Sequence, residues 1–110
     1  MPNYILAHDL GTTGNKATLY DREGQLVDSA FVGYETMYAY TGWAEQDPED
    51  WWQAICSSTH KLLQQTRVAG SDIACLVFSG QMMGCVPLDA QARPLRQAII
   101  WADQRAVEQV

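Results

Sequence analysis

Short apolar runs separated by turn residues open the chain. Residues 4–9 (YILAHD) form one compact apolar run, and residues 16–21 (KATLYD) form a second. Residues 25–35 (QLVDSAFVGYE) are longer and partly alternate between apolar and polar positions. Runs of this length predict strands, and the short glycine-containing turns between them predict antiparallel pairing. This part of the chain is therefore expected to form a three-stranded antiparallel meander.

A helix is predicted after a loop over residues 41–47 (TGWAEQD). Asp47 is a favourable N-cap, and Pro48 suits the first helical position. Acidic residues in the following turn stabilise the positive end of the helix dipole, and Gly70 is the predicted end of the element. The residues expected on its buried face recur at helical spacing and are Trp52, Ile55, Cys56, Thr59, Leu62 and Leu63.

The second half of the chain predicts one more buried strand and then a hairpin. Residues 73–78 (IACLVF) are continuously apolar, which is typical of a strand covered on both faces. Residues 79–84 (SGQMMG) break this run. Residues 85–89 and 95–101 then predict the two arms of a hairpin. Residues 103–110 (DQRAVEQV) predict the opening turn of another helix.

The order of these elements indicates the fold class. Three antiparallel strands, a helix and a buried strand are the opening of a ribonuclease H-like α/β domain with a mixed sheet. The chain has 110 residues, enough for one ordinary domain. A complete domain of this kind needs another helix and strand after residue 110, so the sequence is expected to be a truncated part of a longer protein.

Composition narrows the range of partners. The net charge is −6 and the seven basic residues are scattered, so no nucleic-acid partner is expected. No apolar stretch approaches the roughly 18 residues of a membrane helix, and no signal peptide is recognisable, so no membrane partner is expected. Cys56, Cys75 and Cys85 include no Cys-x-x-Cys pair. They are typical of reduced thiols, and a cytoplasmic location is expected.

The stretch HDLGTTGNKATLYD (8–21) carries the first candidate chemistry. Turn amides and the hydroxyls of Thr12 and Thr13 can bind an anion, and glycine lets the backbone approach a ligand closely. A carboxylate beside a phosphate repels it unless a divalent metal lies between them, so Asp9 is interpreted as a Mg²⁺ partner. Lys16 either adds a positive charge near that anion or simply starts the second strand. The alternative is a glycine-rich hairpin turn whose threonines are only turn residues.

Four motifs occur in an order that resembles a known family. They are DLGTTGNK, GWAEQDPEDWW, SGQMMG and PLRQAIIWADQR. Together they are similar to the FGGY carbohydrate kinases, in particular to their xylulokinase-like branch. The resemblance runs from about residue 4 to the end of the chain.

This resemblance implies an actin-like ATPase fold with two ribonuclease H-like domains and a cleft between them. ATP and Mg²⁺ would bind in the cleft, and the γ-phosphoryl would pass to a hydroxyl of a ketose such as xylulose. Residues 1–110 would be the N-terminal part of the first domain. The catalytic aspartate and the adenosine pocket are expected beyond Val110, and a homodimer is possible at full length. The short chain alone is expected to be inactive.

The resemblance also assigns roles to individual residues. Asp9 matches the metal-linked aspartate, and a phosphate loop with a basic residue after it matches the next positions. A sugar-contacting turn and an aromatic residue near the sugar follow, with a charged pair that supports them. These positions are Gly11, Thr12, Thr13 and Lys16 for phosphate, Gln81, Met82, Met83 and Trp101 for the sugar, and Asp103 and Arg105 for support.

One position departs from the xylulokinase pattern. Those enzymes typically read Gln-Met-His-Gly at the sugar turn, whereas this chain reads Gln-Met-Met-Gly. Methionine is a weak acceptor and no donor, and losing a polar contact to a substrate hydroxyl changes specificity. Kinases for glycerol, ribulose or another polyol are therefore alternatives, as is a non-catalytic actin-like nucleotide-binding module.

Packing roles remain open for several of these residues. Met82 and Met83 can instead fill a gap in the core. Asp103 and Arg105 can be a plain helix cap and its partner, and Trp101 can be a packing residue. A kinase differs from a structural module in needing a sugar pocket at the Gln81 turn.

Overall fold

A computed structural model describes residues 2–110 of the chain. Its regular elements are six strands and one α-helix, with two short 3₁₀ turns at Gly70–Asp72 and Val107–Gln109. The elements are β1 (Tyr4–Leu10), β2 (Gly14–Tyr20), β3 (Leu26–Gly33), β4 (Glu45–Gln46), α1 (Pro48–Thr66), β5 (Ile73–Gly80) and β6 (Ala98–Ile99). Within residues 2–110, no helix is both long enough and apolar enough to cross a membrane.

The main sheet has four strands in the order β3-β2-β1-β5. β1 and β3 each pair antiparallel with β2, whereas β5 pairs parallel with β1. Because β5 runs parallel to β1, the chain must cross over between them, and α1 makes that crossover. The predicted α/β class, the mixed sheet and the antiparallel first three strands are confirmed.

Two turns of the meander have clear local causes. Gly24 adopts a φ of 79° in the turn between β2 and β3, and the Asp21 carboxylate accepts hydrogen bonds from the amides of Glu23 and Gln25. Gly14 is required for a different reason. A Cβ there would lie 2.4 Å from the Phe31 ring and 2.6 Å from a β3 carbonyl oxygen, so only glycine lets β2 and β3 approach at this point.

The N-terminus of α1 is as predicted, and its C-terminus is not. The Asp47 carboxylate accepts a hydrogen bond from the Glu49 amide at 2.9 Å, and Pro48 is the first helical residue. The helix ends at Thr66 because Arg67 takes up the left-handed conformation, with φ 59°. Gly70 instead begins the 3₁₀ turn that leads into β5.

The buried face of α1 also differs from the prediction. Ala54, Ser58 and Leu62 are buried, whereas Trp52 is 57% exposed and Cys56 is exposed. The sheet contributes two alanines, Ala17 and Ala30, to the core beneath α1, so small helix residues pack closely there and the large Trp52 side chain points outward. The core cluster consists of Leu6, Ala17, Leu19, Ala30 and Leu62.

A small second sheet lies beyond the end of β1. Residues 41–47, predicted as loop, contain β4, which pairs antiparallel with β6. The predicted hairpin is present as isolated bridges between Cys85 and Ile99 and between Leu88 and Pro94. The predicted helical opening at residues 103–110 is only the 3₁₀ turn Val107–Gln109. A strand of two residues has too little periodic signal to be recognised in sequence.

Strand β5 is the outer strand of the main sheet in the described residues. Its apolar run predicts a strand covered on both faces, whereas Leu76 is 55%, Val77 47% and Phe78 53% exposed in the described residues. Adjacent residues of a strand point to opposite faces, so apolar surface is open on both sides of β5.

Candidate functional site

The turn between β1 and β2 is fixed through its carbonyl oxygens. Gly11 donates its amide to the Gly14 carbonyl at 3.0 Å, which closes the turn. The Tyr34 hydroxyl donates to the Gly11 carbonyl, and the Tyr34 amide donates to the Thr13 carbonyl at 3.2 Å. The Gln46 side-chain amide donates to the Thr12 carbonyl at 2.7 Å.

This arrangement leaves amide groups of the turn available. The amides of Thr12 and Thr13 donate to no other residue in the described part of the chain. In a planar trans peptide the C=O of one residue and the N–H of the next point in opposite directions. Holding the Gly11 and Thr12 carbonyls therefore aims these two amides outward, as an anion site requires. A Cβ at Gly11 would meet only an ordinary contact of 3.5 Å, so space does not require glycine there.

Asp9 and Lys16 lie opposite each other across the β1–β2 pair. Both are exposed, and both line a hollow of about 290 Å³ on the sheet face opposite α1. The Tyr34 hydroxyl has a raised pKa of about 12. Its burial is the larger cause, and the negative charge of Asp9 is the second. The end of β1 therefore joins a free carboxylate to a turn with free amides.

These donors fit a nucleotide phosphate held with Mg²⁺. Residues 2–110 contain no cluster of three or more acidic, histidine or cysteine side chains that would form an all-protein metal site. Mg²⁺ keeps several waters and usually takes one or two carboxylates together with substrate phosphates. A single carboxylate, Asp9, beside an anion-binding turn meets that requirement.

Gln46 on β4 is the centre of a hydrogen-bond network that includes both predicted turns. Its amide nitrogen donates to the Thr12 carbonyl and, at 2.8 Å, to the Thr36 hydroxyl. Its amide oxygen accepts from the Trp51 indole at 2.9 Å and from the Gln81 side-chain amide at 2.8 Å. Gln46 is fully buried, so all four hydrogen-bonding positions of its side chain are satisfied inside the protein.

The predicted sugar turn follows β5. The Gln81 amide donates to the Leu10 carbonyl at 2.8 Å, which holds the turn at the end of β1. Met83 has a positive φ of 64°, an uncommon conformation for a non-glycine residue. Met82 is 78% and Met83 is 91% exposed, so neither fills the core in the described residues.

A cleft of about 300 Å³ opens beside this turn. Its wall is mostly apolar and includes Leu10, Trp51, Gln81, Met83 and Ile100. The Gln81 side-chain oxygen is buried and has no partner among residues 2–110. A buried acceptor without a partner is costly, so this oxygen is suited to a donor supplied by a ligand.

Trp101 is hydrogen-bonded to the predicted phosphate turn. Its indole nitrogen donates to the Thr12 hydroxyl at 2.9 Å, and the side chain is 56% exposed. Thr12, Gln81 and Trp101 are therefore brought together, with Gln46 between the first two. This meeting of segments far apart in sequence is the clearest sign of a composite site.

The charged pair predicted as support is part of a larger cluster. Arg105 donates to both Asp103 oxygens and, at 2.8 Å, to Glu45, and its guanidinium lies 3.7 Å from the centre of the Trp43 ring. The Asp103 carboxylate also accepts from the Ala44 amide at 2.7 Å. The pair therefore ties the turn after Trp101 to β4.

Hydrogen bonds explain the electrostatics of this cluster. Those from Arg105, together with the Ala44 amide, hold the pKa of Asp103 well below its usual range. The Asp103 and Glu45 carboxylates in turn raise the pKa of Arg105. Arg96 adds a second ion pair to Glu45. These ion pairs hold β4 and the residue 101–105 turn together.

A second buried polar group lies beneath the phosphate turn. Asn15 donates to the His8 ring at 2.9 Å and to the Ser58 hydroxyl at 2.8 Å, and the other His8 nitrogen lies 3.2 Å from the Thr59 hydroxyl. The His8 ring also stacks on Phe78, with centroids 5.2 Å apart. Burial lowers the pKa of His8. These contacts tie β1 and β2 to α1 directly behind the turn.

The comparison with protein families decides the identity of the fold. Residues 4–110 match the N-terminal domain of the FGGY family of carbohydrate kinases. The chain belongs to the FGGY family of carbohydrate kinases. The match covers nearly the whole chain, so the resemblance drawn from four motifs is confirmed.

Individual FGGY relatives agree with this assignment. The chain is 35% identical over 107 residues to a xylulose kinase of Staphylococcus xylosus, covering 97% of this chain and 22% of that protein. It is 36% identical over 103 residues to a glycerol kinase of Rippkaea orientalis, covering 93% and 21% of the two chains. The chain thus spans about one fifth of the length of these relatives.

A solved FGGY structure confirms the fold. The crystal structure of a xyloylose kinase from Brucella ovis superposes with a TM-score of 0.92 at 36% identity, over 96% of this chain and 22% of that one. The chain has the actin-like ATPase fold of this family, as the resemblance implied, and the ribonuclease H-like class predicted from the element order is confirmed.

Four residues of the FGGY site region had no role in the sequence interpretation. Gln46 and Glu45 lie inside the GWAEQDPEDWW motif, whose pattern predicts a loop and a helix start. His8 and Asn15 flank the phosphate turn. For His8 the available signal is a polar residue inside an apolar strand, because such a residue needs a buried partner. Glu45 and Gln46, inside an apparent loop, offer no such signal.

Proposed function

We propose that this chain is the N-terminal part of an ATP-dependent kinase that transfers the γ-phosphoryl group to a hydroxyl of a ketose such as xylulose. The observation that carries the proposal is the junction of Thr12, Gln46, Gln81 and Trp101. Through it the candidate phosphate turn and the candidate sugar turn form adjacent walls of one site. Phosphoryl transfer depends mainly on holding two substrates in this way, with their charge neutralised.

The phosphate end of the proposed site uses three kinds of group. The free amides of Thr12 and Thr13, with their hydroxyls, bind phosphate oxygens, and Gly11 belongs to the same turn. Asp9 holds Mg²⁺ directly or through water, and Lys16 adds a positive charge across the strand pair. Bound Mg²⁺ supplies charge neutralisation of the ATP phosphates.

The sugar end of the proposed site uses the turn after β5. The unpartnered Gln81 oxygen accepts a hydrogen bond from a substrate hydroxyl, and Met82, Met83 and Trp101 contact the carbon skeleton. Asp103 and Arg105 hold the Trp101 turn in place. The apolar wall of the cleft supports a small carbon skeleton with few polar contacts on one side.

A glycerol or other polyol kinase is the second candidate. The glycerol kinase relative is as similar to this chain as the xylulose kinase relative, which favours no single substrate. Met83 stands where a histidine is typical of xylulokinases, and a thioether offers no donor to a sugar hydroxyl. The preferred acceptor is therefore a question for a panel of substrates.

The remaining parts of the proposed enzyme lie outside residues 1–110. The general base and the adenosine pocket are assigned to the rest of a longer protein, which we expect to act in the cytoplasm, and a homodimer is the oligomeric state that we propose for it. The free cysteines Cys56, Cys75 and Cys85 fit a reducing compartment.

The test is a phosphorylation assay on the full-length protein that contains this chain. Purified enzyme is given Mg-ATP and a panel of xylulose, ribulose, glycerol and other polyols, and sugar-dependent ADP release is measured. Turnover with one ketose well above the rest supports the proposal, and preference for glycerol supports the second candidate. Nucleotide binding without turnover on any acceptor would instead identify a non-catalytic nucleotide-binding module.

A further inference from the structure

Gln46 joins the two candidate substrate turns through one rigid group. A carboxamide is planar, so its nitrogen and oxygen keep a fixed relation to each other. Rotating it by 180° would place donor against donor at Gln81 and acceptor against acceptor at Thr12, so one orientation satisfies all four partners. Complete burial removes water as a replacement partner. A shift of either turn must therefore act on the other.

Each end of this contact bears on a binding group. The bond to the Thr12 carbonyl fixes the peptide whose N–H belongs to Thr13, one of the two free turn amides. The bond from the Gln81 side chain fixes the amide whose oxygen is buried without a partner. Gln46 itself is fully buried and lies behind both groups, so it acts through other residues.

We propose that Gln46 is a positioning residue that makes phosphate binding at the β1–β2 turn and sugar binding at the Gln81 turn cooperative. This inference rests on the proposed kinase function. A ligand on either turn selects the arrangement in which the Gln46 side chain satisfies all four partners. The second ligand then meets a turn that is already ordered, so it binds more tightly.

Thermodynamic linkage requires the coupling between the two ligands to be equal in both directions. If nucleotide raises the affinity for sugar by some factor, sugar must raise the affinity for nucleotide by the same factor. A coupling of at least about fivefold is expected, the lower end of what linked sites commonly show. Equal factors measured from the two directions would also exclude simple errors in either titration.

The experiment measures four dissociation constants on the full-length enzyme. The sugar that turns over best in the panel is titrated with and without a saturating non-hydrolysable ATP analogue and Mg²⁺, and the analogue is titrated with and without that sugar. For each ligand, the ratio is its dissociation constant without the other ligand divided by its dissociation constant with it. We expect the two ratios to be equal and at least about fivefold in the wild type. Ratios of one in an enzyme that phosphorylates the sugar overturn the inference while leaving the proposed function intact.

Three variants separate coupling from general destabilisation. Gln46→Glu removes the donor to Thr12 and keeps acceptor oxygens for Gln81, whereas Gln46→Met removes every hydrogen bond. Thr36→Val is the matched control, because it also deprives the buried Gln46 amide of one partner but leaves both turns connected. We expect the ratios to fall toward one in both Gln46 variants and to stay near wild type in Thr36→Val.

Two results with the variants would contradict the inference. One is a wild-type ratio in Gln46→Glu. The other is an equal loss of coupling in Thr36→Val. At saturation of both substrates, we expect the kcat of the Gln46 variants to change by a smaller factor than their dissociation constants, because bound ligands restore the turns. A structural defect alone would lower the active fraction without changing either dissociation constant.

A measurement on the wild type keeps the inference testable if the Gln46 variants do not fold. Hydrogen exchange of the amides in residues 81–84 is followed with and without the ATP analogue, in the absence of sugar. Slower exchange on nucleotide binding is the expected result. Unchanged exchange, in a protein shown to bind the analogue, would overturn the proposed coupling.

Discussion

Single backbone and side-chain groups at the end of β1 carry the chemistry proposed for this chain. The carbonyls of the turn are occupied by Tyr34 and Gln46, so the amides face outward, and Asp9 stands beside them. Among the described residues, Asp9 belongs to no group of three or more acidic, histidine or cysteine side chains that could hold a metal ion. The role of each group can therefore be tested by changing one residue at a time.

Replacing Asp9 by alanine in the full-length enzyme should nearly abolish turnover and leave the fold intact. The side chain is exposed, so its loss opens no cavity, whereas loss of the metal link raises the barrier to phosphoryl transfer. We expect kcat with Mg-ATP to fall by at least about 100-fold. Asp28→Ala, on β3 and outside the turn, serves as the control. A variant with near-normal kcat would show that Asp9 is not the metal partner.

Met83→His should move the sugar preference toward D-xylulose if the exposed turn contacts substrate. The imidazole restores a group that can hydrogen-bond a sugar hydroxyl, and such contacts discriminate strongly between acceptors. The measurement is kcat/KM over a panel of ketoses and polyols. Met82→His places the same ring one residue away and is the matched comparison. Identical rank orders in wild type and Met83→His would mean that residue 83 does not set specificity.

Two different interactions hold the strands and the helix in place around the β1–β2 turn. On one side, Gly14 lets β2 approach β3. On the other, His8 and Asn15 bind the hydroxyls of Thr59 and Ser58 on α1. The first interaction is steric and the second is polar, so they respond to different perturbations.

Gly14→Ala should destabilise the protein much more than Gly11→Ala. A Cβ at residue 14 meets backbone atoms of β3 at 2.6 and 2.8 Å, whereas one at residue 11 meets only an ordinary contact of 3.5 Å. We expect a loss of about 2–3 kcal/mol for the first change and less than about 1 kcal/mol for the second. Denaturation of the two full-length variants beside the wild type provides the measurement. Equal stabilities would show that the strands separate easily at this point.

His8 should make stability fall in mildly acidic solution. Its pKa in the folded protein is below the ordinary value of 6.5, so the unfolded chain binds the proton more readily. The stability that neutral His8 contributes is complete above the ordinary pKa and is lost as the pH falls below that value. The groups in contact with the ring, Asn15, Thr59 and Phe78, are uncharged, and Asp9 lies on the opposite face.

The measurement is the change in stability between pH 7.5 and about 5.5 for three proteins. His8→Gln should show a smaller decrease than the wild type, since glutamine does not titrate. His60→Gln, which replaces the exposed histidine of α1, is the matched control. A decrease in His8→Gln as large as in the wild type would contradict the assignment.

Elements with strong periodic patterns could be predicted from sequence, and pairings without them could not. The meander, β5 and the capped start of α1 follow from apolar runs and turn chemistry. β4 has two residues and exists because β6 pairs with it from far along the chain, which no local pattern contains. Arg67 ends α1 in a conformation usually taken by glycine, so Gly70 was a misleading signal.

The candidate site was likewise only partly predictable from sequence. Motif resemblance indicates Asp9, Thr12, Thr13, Gln81 and Trp101. The structure joins three of these residues, Thr12, Gln81 and Trp101, through hydrogen bonds. Gln46 could not be assigned, because a glutamine inside an apparent loop becomes significant only when both turns are seen against it.

At the scale of the whole molecule, apolar surface remains open. β5 exposes about half of Leu76, Val77 and Phe78, and both of its faces carry apolar side chains. Exposed apolar patches of this kind favour association. The chain also spans only about one fifth of the length of its curated relatives. In a protein of that full length, further residues would be present to cover such surface.

The isolated 110-residue chain should therefore be inactive and poorly stable. Transfer requires the hydroxyl, the metal and the γ-phosphate to be held together, and in the proposed enzyme this chain would supply one wall of that site. We expect no ATP-dependent phosphorylation of the sugar panel, and broad melting with association in sedimentation. The full-length enzyme under the same conditions is the control. Phosphorylation by the short chain would refute the first expectation, and a sharp melt from a monomer would refute the second.

Gly14 has a consequence for engineering at this turn. The atoms that exclude a side chain there include the β3 backbone, which a second substitution cannot shorten. A library of variants over residues 11–14, selected for folded protein alone, should therefore accept more changes at Gly11, Thr12 and Thr13 than at Gly14. Such a selection would separate the residue that lets two strands approach from the residues available for binding.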